Sequence, residues 1–210
     1  DMDGVIIDSE HLQSESFETV LNEYGVKPHY QQNGLIQIIG IRAGDNWKRL
    51  KKYHKITDSV EVLLGKKEKA YIKLLKANIK PTKGLIALLK LLKQREIKLG
   101  IASSSPLNHI LLVVKGLGII KYFDEIVSGQ DVINGKPHPE IFLKTLKLLK
   151  VKPKYSAVLE DAESGVIAAH AAGTKVIAIP NKHTLEHNFS KADIIVKSLS
   201  DVTIELLESL

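Results

Sequence analysis

The sequence contains no cysteine, which excludes disulfides, thiolate metal sites and a cysteine nucleophile by residue type alone. It also lacks any apolar run near the roughly 18 residues that a membrane helix needs, and no signal-peptide pattern opens it. A soluble, cytoplasmic protein with no membrane partner is therefore expected. Arginine is scarce, with Arg42, Arg49 and Arg95 the only three among 30 basic residues. Because arginine is the side chain suited to bidentate phosphate and base recognition, the shortage argues against a nucleic-acid partner. Internal repeats and low-complexity tracts are absent as well.

What is present suffices for a folded domain. A hydrophobic content of 44% over 210 residues supports a sizeable core and argues against general disorder. The formal charge of +6 is unevenly spread: residues 48–98 hold 16 Lys or Arg against 4 Asp or Glu, which leaves 14 against 20 elsewhere. Such a field attracts anionic ligands, although a lysine-rich solvated face is the simpler reading.

Short β-branched or aliphatic runs at Lys98 to Ser103, Glu125 to Ser128, Ala157 to Glu160, Lys175 to Ile179 and Asp193 to Val196 predict buried strands. Between them lie helical spacings, such as Leu85, Leu88, Leu89 and Leu92, or Ile141, Phe142, Thr145, Leu146 and Leu149. Alternating strands and helices imply right-handed βαβ units and a parallel sheet covered on both faces. From about Glu10 to Lys80 the pattern changes to successive amphipathic stretches with no convincing strand. The expected fold is thus a Rossmann-like α/β core, formed by residues 1–9 and 81–210, with an α-helical cap of residues 10–80 inserted into it. The chain opens at Asp1, immediately before a motif that normally closes a strand, so a few upstream residues completing that strand are expected.

Four local patterns carry chemistry. In Asp1-Met2-Asp3-Gly4-Val5, two carboxylates stand two residues apart, and in an extended segment such positions share a side. One can attack phosphorus while the other donates a proton to the leaving oxygen. Loop acids before a helix, capped by Asp8 or Ser9, satisfy the same pattern. The run Ile101-Ala102-Ser103-Ser104-Ser105-Pro106 offers hydroxyls and amides to phosphate oxygens, but serines before a helix also serve as caps. Asn134-Gly135-Lys136-Pro137-His138-Pro139 holds a lysine between constraining residues, ahead of a helix near Glu140. His138 has no ligand partner at metal spacing and reads as a surface or capping residue. Finally, Val158-Leu159-Glu160-Asp161 ends a strand in two acids whose oxygens suit hard Mg²⁺, with a helix N-cap as the plainer alternative for Asp161. Each pattern falls at the carboxyl end of an expected parallel strand, where open α/β sheets bind ligands.

Together, D-x-D-G-V-x-x-D-S-E, Ser103 after the second strand, G-K-P-x-P-E-I-F and L-E-D-x-x-x-G resemble the haloacid dehalogenase superfamily. The likeness spans nearly the whole chain and falls in the branch containing β-phosphoglucomutase and sugar-phosphate phosphatases. It implies a nucleophile and Mg²⁺ ligand at Asp1 and a general acid/base at Asp3, whose carbonyl also meets the metal. It further implies that Glu160 and Asp161 complete the metal site, that Ser103 and Ser104 bind phosphate, and that Lys136 steadies both phosphate and nucleophile. An attack by Asp1 on a phosphate dianion is repulsive unless cations cancel charge, which agrees with this assignment.

The cap is expected to select a small phosphorylated metabolite by closing over the site. Gln13 and Arg42 are the candidate substrate contacts, with Arg42 equally readable as a surface residue, and Trp47 is assigned to cap packing. A mutase must recognise a second phosphate; its cap histidine is replaced here by Gln13, and the basic or polar residues after its second motif by Pro106-Leu107. The chain is closer to hexitol-phosphate and 2-deoxyglucose-6-phosphate phosphatases, so hydrolysis by a monomer is expected, with β-phosphoglucomutase-type transfer as the alternative. A non-catalytic binding protein on the same scaffold would be marked by loss of an essential acid, and none is missing.

Overall fold

The computed structural model describes residues 1–26 and 43–210. These divide into two compact units, one formed by Asp1–Asp8 with Ile79–Leu210 and the other by Ser9–Asn78.

The smaller unit is helical. Helices α1 (Glu10–Glu23), α2 (Ala43–His54) and α3 (Val60–Asn78) supply its described secondary structure. Leu12, Phe17, Val20 and Leu21 recur at helical spacing on α1 and bury one face. Phe17, Val20 and Leu21 meet Trp47 and Leu50 of α2 and Leu63 of α3 in a common core, with the Phe17 and Trp47 rings 4.9 Å apart. Trp47 is fully buried there, as its assignment to packing anticipates. The remaining positions of α2 are largely lysine and other polar residues, so its solvent side carries much of the basic charge.

The larger unit is the α/β core. It begins with α4 (Leu85–Gln94), whose Leu85, Leu88, Leu89 and Leu92 are all buried. There follow β1 (Gly100–Ser103), α5 (Leu107–Gly116), β2 (Glu125–Ser128), α6 (Glu140–Leu149), β3 (Ala157–Glu160), α7 (Glu163–Ala171), β4 (Lys175–Ala178), β5 (Ile194–Ile195) and α8 (Ile204–Glu208). All pairings are parallel: β1 with β2 from Gly100↔Glu125 to Ser103↔Ser128, and β3 with β4 from Ala157↔Lys175 to Glu160↔Ala178. Strand β5 joins β4 through Ile177↔Ile194 and Ala178↔Ile195. Parallel strands need helical crossovers, which is why the apolar periodicity switches between two and 3.6 along the chain.

Strands β1–β2 and β3–β4–β5 form two separate sheets. Between β1 and β3 lies a cavity of about 570 Å³, lined by Ile101, Leu159, Leu88, Leu89, Phe142 and Leu146 among others. Asp1 borders it, and the Asp1 backbone nitrogen donates to the Leu159 carbonyl at 2.9 Å. Beyond Asp3, which forms an isolated bridge with Ile7, the chain turns through residues 4–6. The Met2 carbonyl accepts from the amides of Val5, Ile6 and Ile7 at 2.8–3.3 Å, and Gly4 N–H donates to the Ile7 carbonyl at 2.7 Å. Gly4 sits at φ +81° inside this turn, a conformation that favours glycine. No helix among the described residues is long and apolar enough to cross a membrane.

Candidate active site

Strands β1 and β3 end in Ser103 and Glu160, and because both sheets are parallel their carboxyl ends carry the loops that hold the remaining polar groups. Lys136, in the loop before α6, reaches back over 135 positions to Asp1. Its ammonium donates to Asp1 Oδ1 at 2.7 Å, to Glu160 Oε1 at 2.5 Å and to the Ala102 carbonyl at 3.1 Å. It also lies over the Phe142 ring, 4.9 Å from its centre. The side chains of Lys136, Asp1 and Glu160 are only 7%, 9% and 2% exposed, so these charges meet largely out of water. In such surroundings a charge is tolerated only when paired and hydrogen-bonded, and a lysine bridging two carboxylates meets that condition.

Glu160 turns its other oxygen toward the following loop, where Oε2 accepts from the amides of Asp161 (3.1 Å) and Ala162 (3.4 Å). Gly165 on α7 makes room for this carboxylate, since a Cβ there would lie 2.0 Å from Glu160 Oε1. Asp161 Oδ2 accepts from Asn181 Nδ2 at 2.7 Å. Gly4 opposes it, and a Cβ on Gly4 would lie 2.0 Å from the same oxygen. Burial, reinforced by the neighbouring Glu160 carboxylate, pushes the Asp161 carboxyl up to about 7.

Asp3 is held by the serine run after β1. Its Oδ2 accepts from the Ser105 hydroxyl at 2.7 Å and from the Ser103 hydroxyl at 3.4 Å. Ser103 Oγ in turn accepts from the Ser105 amide at 3.1 Å, and the Ser128 hydroxyl donates to the Ser105 carbonyl at 2.8 Å. Ser103 is fully buried and Ser104 is exposed.

The fold therefore brings together Asp1, Asp3, Ser103, Lys136, Glu160 and Asp161 in the α/β unit. Ser104 is exposed, and Ser105 joins Ser103 in donating to Asp3. Gln13 belongs to the helical unit, where its amide oxygen accepts from the buried Lys67 ammonium. Arg42 lies outside the described residues. His138 is exposed, and its Nδ1 accepts from the Glu140 amide at 3.3 Å at the start of α6, a capping role. Asn181 lies outside the motif patterns, and Ser105, though within the serine run, is not among the assigned site residues. The signal for Asn181 is positional: it follows Ile179-Pro180 directly after β4, at the same sheet edge as the acids.

The donor set suits a hard divalent cation. Ligand oxygens of Asp1, Glu160 and Asp161 all lie within 4.8 Å of one another. Three carboxylates share the locus with Lys136, and Asp161, raised by burial first and by the Glu160 charge second, is the acid least able to carry its charge there without a cation. An all-oxygen cluster of this kind matches Mg²⁺ rather than a soft metal.

Two parallel sheets with acids and a lysine gathered at the carboxyl ends of their strands define an α/β protein whose site lies where such folds bind ligands. Comparison with known proteins makes the class specific. Residues 1–179 match the family model described as haloacid dehalogenase-like hydrolase. The chain is 38% identical over 181 residues to the phosphorylated carbohydrates phosphatase of Thermotoga maritima, covering 84% of this chain and 81% of that protein. It is 28% identical over 209 residues to hexitol phosphatase B of Escherichia coli K12, covering 97% and 92%. The crystal structure of β-phosphoglucomutase from Clostridium difficile superposes with a TM-score of 0.78 at 26% identity, covering 99% of this chain and 93% of that one. The chain belongs to the haloacid dehalogenase-like hydrolase family. Within it, the chain is an enzyme of the phosphoric monoester hydrolase class, with a Rossmann-like core and a helical cap.

Proposed function

We propose that this protein is a magnesium-dependent phosphatase that hydrolyses a small sugar or sugar-alcohol phosphate through an aspartyl-phosphate on Asp1. The observation that carries the reading is the meeting of Lys136 with Asp1 and Glu160 beside Asp161, which gathers the nucleophile, its cation and the acidic ligands within one hydrogen-bonded cluster. Asp1, Glu160 and Asp161, with the Asp3 carbonyl, would hold Mg²⁺, whose charge would offset that of the phosphate and lower the repulsion to attack.

The remaining chemistry is assigned to the chain's own groups. The Asp1 carboxylate attacks phosphorus, forming an oxygen–phosphorus bond as the ester oxygen departs. Protonated Asp3 gives its proton to that departing oxygen, releasing the alcohol. Asp3, now a carboxylate, then takes a proton from water as the water oxygen attacks the same phosphorus, freeing inorganic phosphate and restoring Asp1. Lys136 holds one Asp1 oxygen in place and adds positive charge where the phosphoryl oxygens collect it. The hydroxyl of Ser103 contributes a donor to those oxygens, while Ser105 sets the direction of Asp3.

The sugar-phosphate class is supported by the carbohydrate phosphatase and hexitol phosphatase relatives. Hydrolysis is favoured over mutase transfer because Gln13, engaged by Lys67, has no ionisable proton for restraining or relaying transfer. Phosphate release from p-nitrophenyl phosphate and a panel of hexose and hexitol phosphates, with Mg²⁺ and with chelator, tests the proposal. Magnesium-dependent release is expected. Release that persists undiminished in chelator would overturn the metal assignment, and conversion of β-glucose 1-phosphate to glucose 6-phosphate without phosphate release would replace the phosphatase with a mutase.

A further inference from the structure

The loop after β4 is built more firmly than a simple connection requires. Ile179 N–H donates to the Glu160 carbonyl at 2.7 Å, carrying the β3–β4 pairing to the mouth of the site. Asn181 then closes a tight turn upon itself. Its amide N–H donates to Thr184 Oγ1 at 3.0 Å, its side-chain Oδ1 accepts from the His183 amide at 2.9 Å, and its carbonyl accepts from the Thr184 amide at 3.0 Å. Thr184 is buried, and its carbonyl accepts from the His187 amide at 3.0 Å.

The far end of the loop is clasped to α7. His187 Nδ1 accepts from the Glu163 amide at 3.3 Å, and Glu163 Oε2 accepts from the Asn188 amide at 3.2 Å. Phe189 anchors the segment in the main core. Both ends being tied, the asparagine side chain has one direction left for its NH₂ group, and there it donates to Asp161 Oδ2 at 2.7 Å. Gly4 leaves room for this contact, since a Cβ there would lie 2.0 Å from Asp161 Oδ2 and 3.0 Å from Asn181 Nδ2.

We propose that Asn181 is a positioning residue that fixes the orientation of Asp161 for a divalent cation. An amide donating to one carboxylate oxygen locks the rotamer and leaves the second oxygen's lone pairs to the ion, and partners of this kind typically change metal affinity by about 10- to 100-fold. The inference rests on the proposed Mg²⁺ site and concerns how that site is held rather than which reaction it serves.

Calorimetric titration of Mg²⁺ into the metal-free protein tests it, alongside thermal melting without metal. Asn181→Ala should weaken Mg²⁺ binding by about tenfold or more. Asn181→Ser guards against a misfolded loop, because its hydroxyl can still accept from the His183 amide but is too short to reach Asp161. The serine variant should keep a cooperative melt and still lose affinity by about the same factor as the alanine variant. Wild-type affinity in a folded Asn181→Ser protein would overturn the positioning role while leaving the magnesium site standing. Failure of the wild-type protein itself to bind Mg²⁺ would instead overturn the site on which the role depends.

Discussion

In the proposed reaction Asp1 and Asp3 divide two tasks, and their surroundings differ accordingly. Asp1 is paired with a buried lysine and Asp3 with two serine hydroxyls. Asp1→Asn should abolish turnover, by on the order of 10³-fold or more, because an amide is a poor nucleophile. Asp3→Asn should cost about 10²-fold through loss of proton transfer. The serines separate more finely: Ser105→Ala should lower kcat by about tenfold, the loss of one hydrogen bond to a charged group, whereas exposed Ser104→Ala should leave it unchanged. Steady-state kinetics on p-nitrophenyl phosphate distinguishes them, and equal effects of the two alanines would remove the role assigned to Ser105.

Asp161 makes a prediction about pH. Its carboxyl is raised from 3.8 to about 7, so the folded metal-free protein holds the proton more tightly than the unfolded chain does. The stabilising contribution is therefore complete below about pH 4 and is lost as pH rises through about 7. Melting of chelator-treated protein should show stability falling between about pH 4 and about pH 7. Asp161→Asn should flatten that fall and melt higher than the parent at pH 8, and identical slopes in both would show that Asp161 is not the strained acid.

At the scale of elements, the βα loops decide the site, and glycine marks the two closest approaches. Gly165 lies within α7, where alanine ordinarily stabilises a helix by about 1 kcal/mol over glycine. Here its Cβ would lie 2.0 Å from Glu160 Oε1, and the carboxylate that Lys136 and two backbone amides hold would have to move. Gly165→Ala should consequently lower the melting temperature despite the better propensity, and weaken Mg²⁺ binding. A higher melting temperature with unchanged metal affinity would show that Glu160 can shift freely. The elements themselves were largely legible. Glu125 to Ser128 and Ala157 to Glu160 match their strands end to end, because short apolar runs between turn residues encode a buried strand locally. Asp193 to Val196 shortens to Ile194–Ile195, while the motif turn occupies residues 4–6 between the bridged Asp3 and Ile7. Such ends depend on pairing partners elsewhere in the chain.

For the whole molecule, charge is the property that acts at a distance. The excess of lysine within residues 48–98 gives an otherwise acidic protein a formal +6. Electrostatic steering of a phosphate dianion is screened as the Debye length shrinks to about 8 Å at 0.15 M salt. Raising ionic strength from about 0.02 to about 0.3 M should therefore lower kcat/KM for a sugar phosphate several-fold through KM, with kcat nearly constant. A KM indifferent to salt would assign the lysines to a solvated face alone.

The amino-acid sequence by itself determined the chemistry available and its order along the chain: two acids at the front, a serine, a lysine and two further acids, each after an apolar run that makes a strand. Those features are local, set by residue type and periodicity, and so can be read without coordinates. Tertiary structure alone decided which of three adjacent serines meets Asp3, that Lys136 bridges Asp1 and Glu160, and that Asn181 reaches Asp161. Side-chain direction in a loop follows from hydrogen bonds to distant segments, and contacts spanning 135 or 102 positions exist only once the sheets are packed.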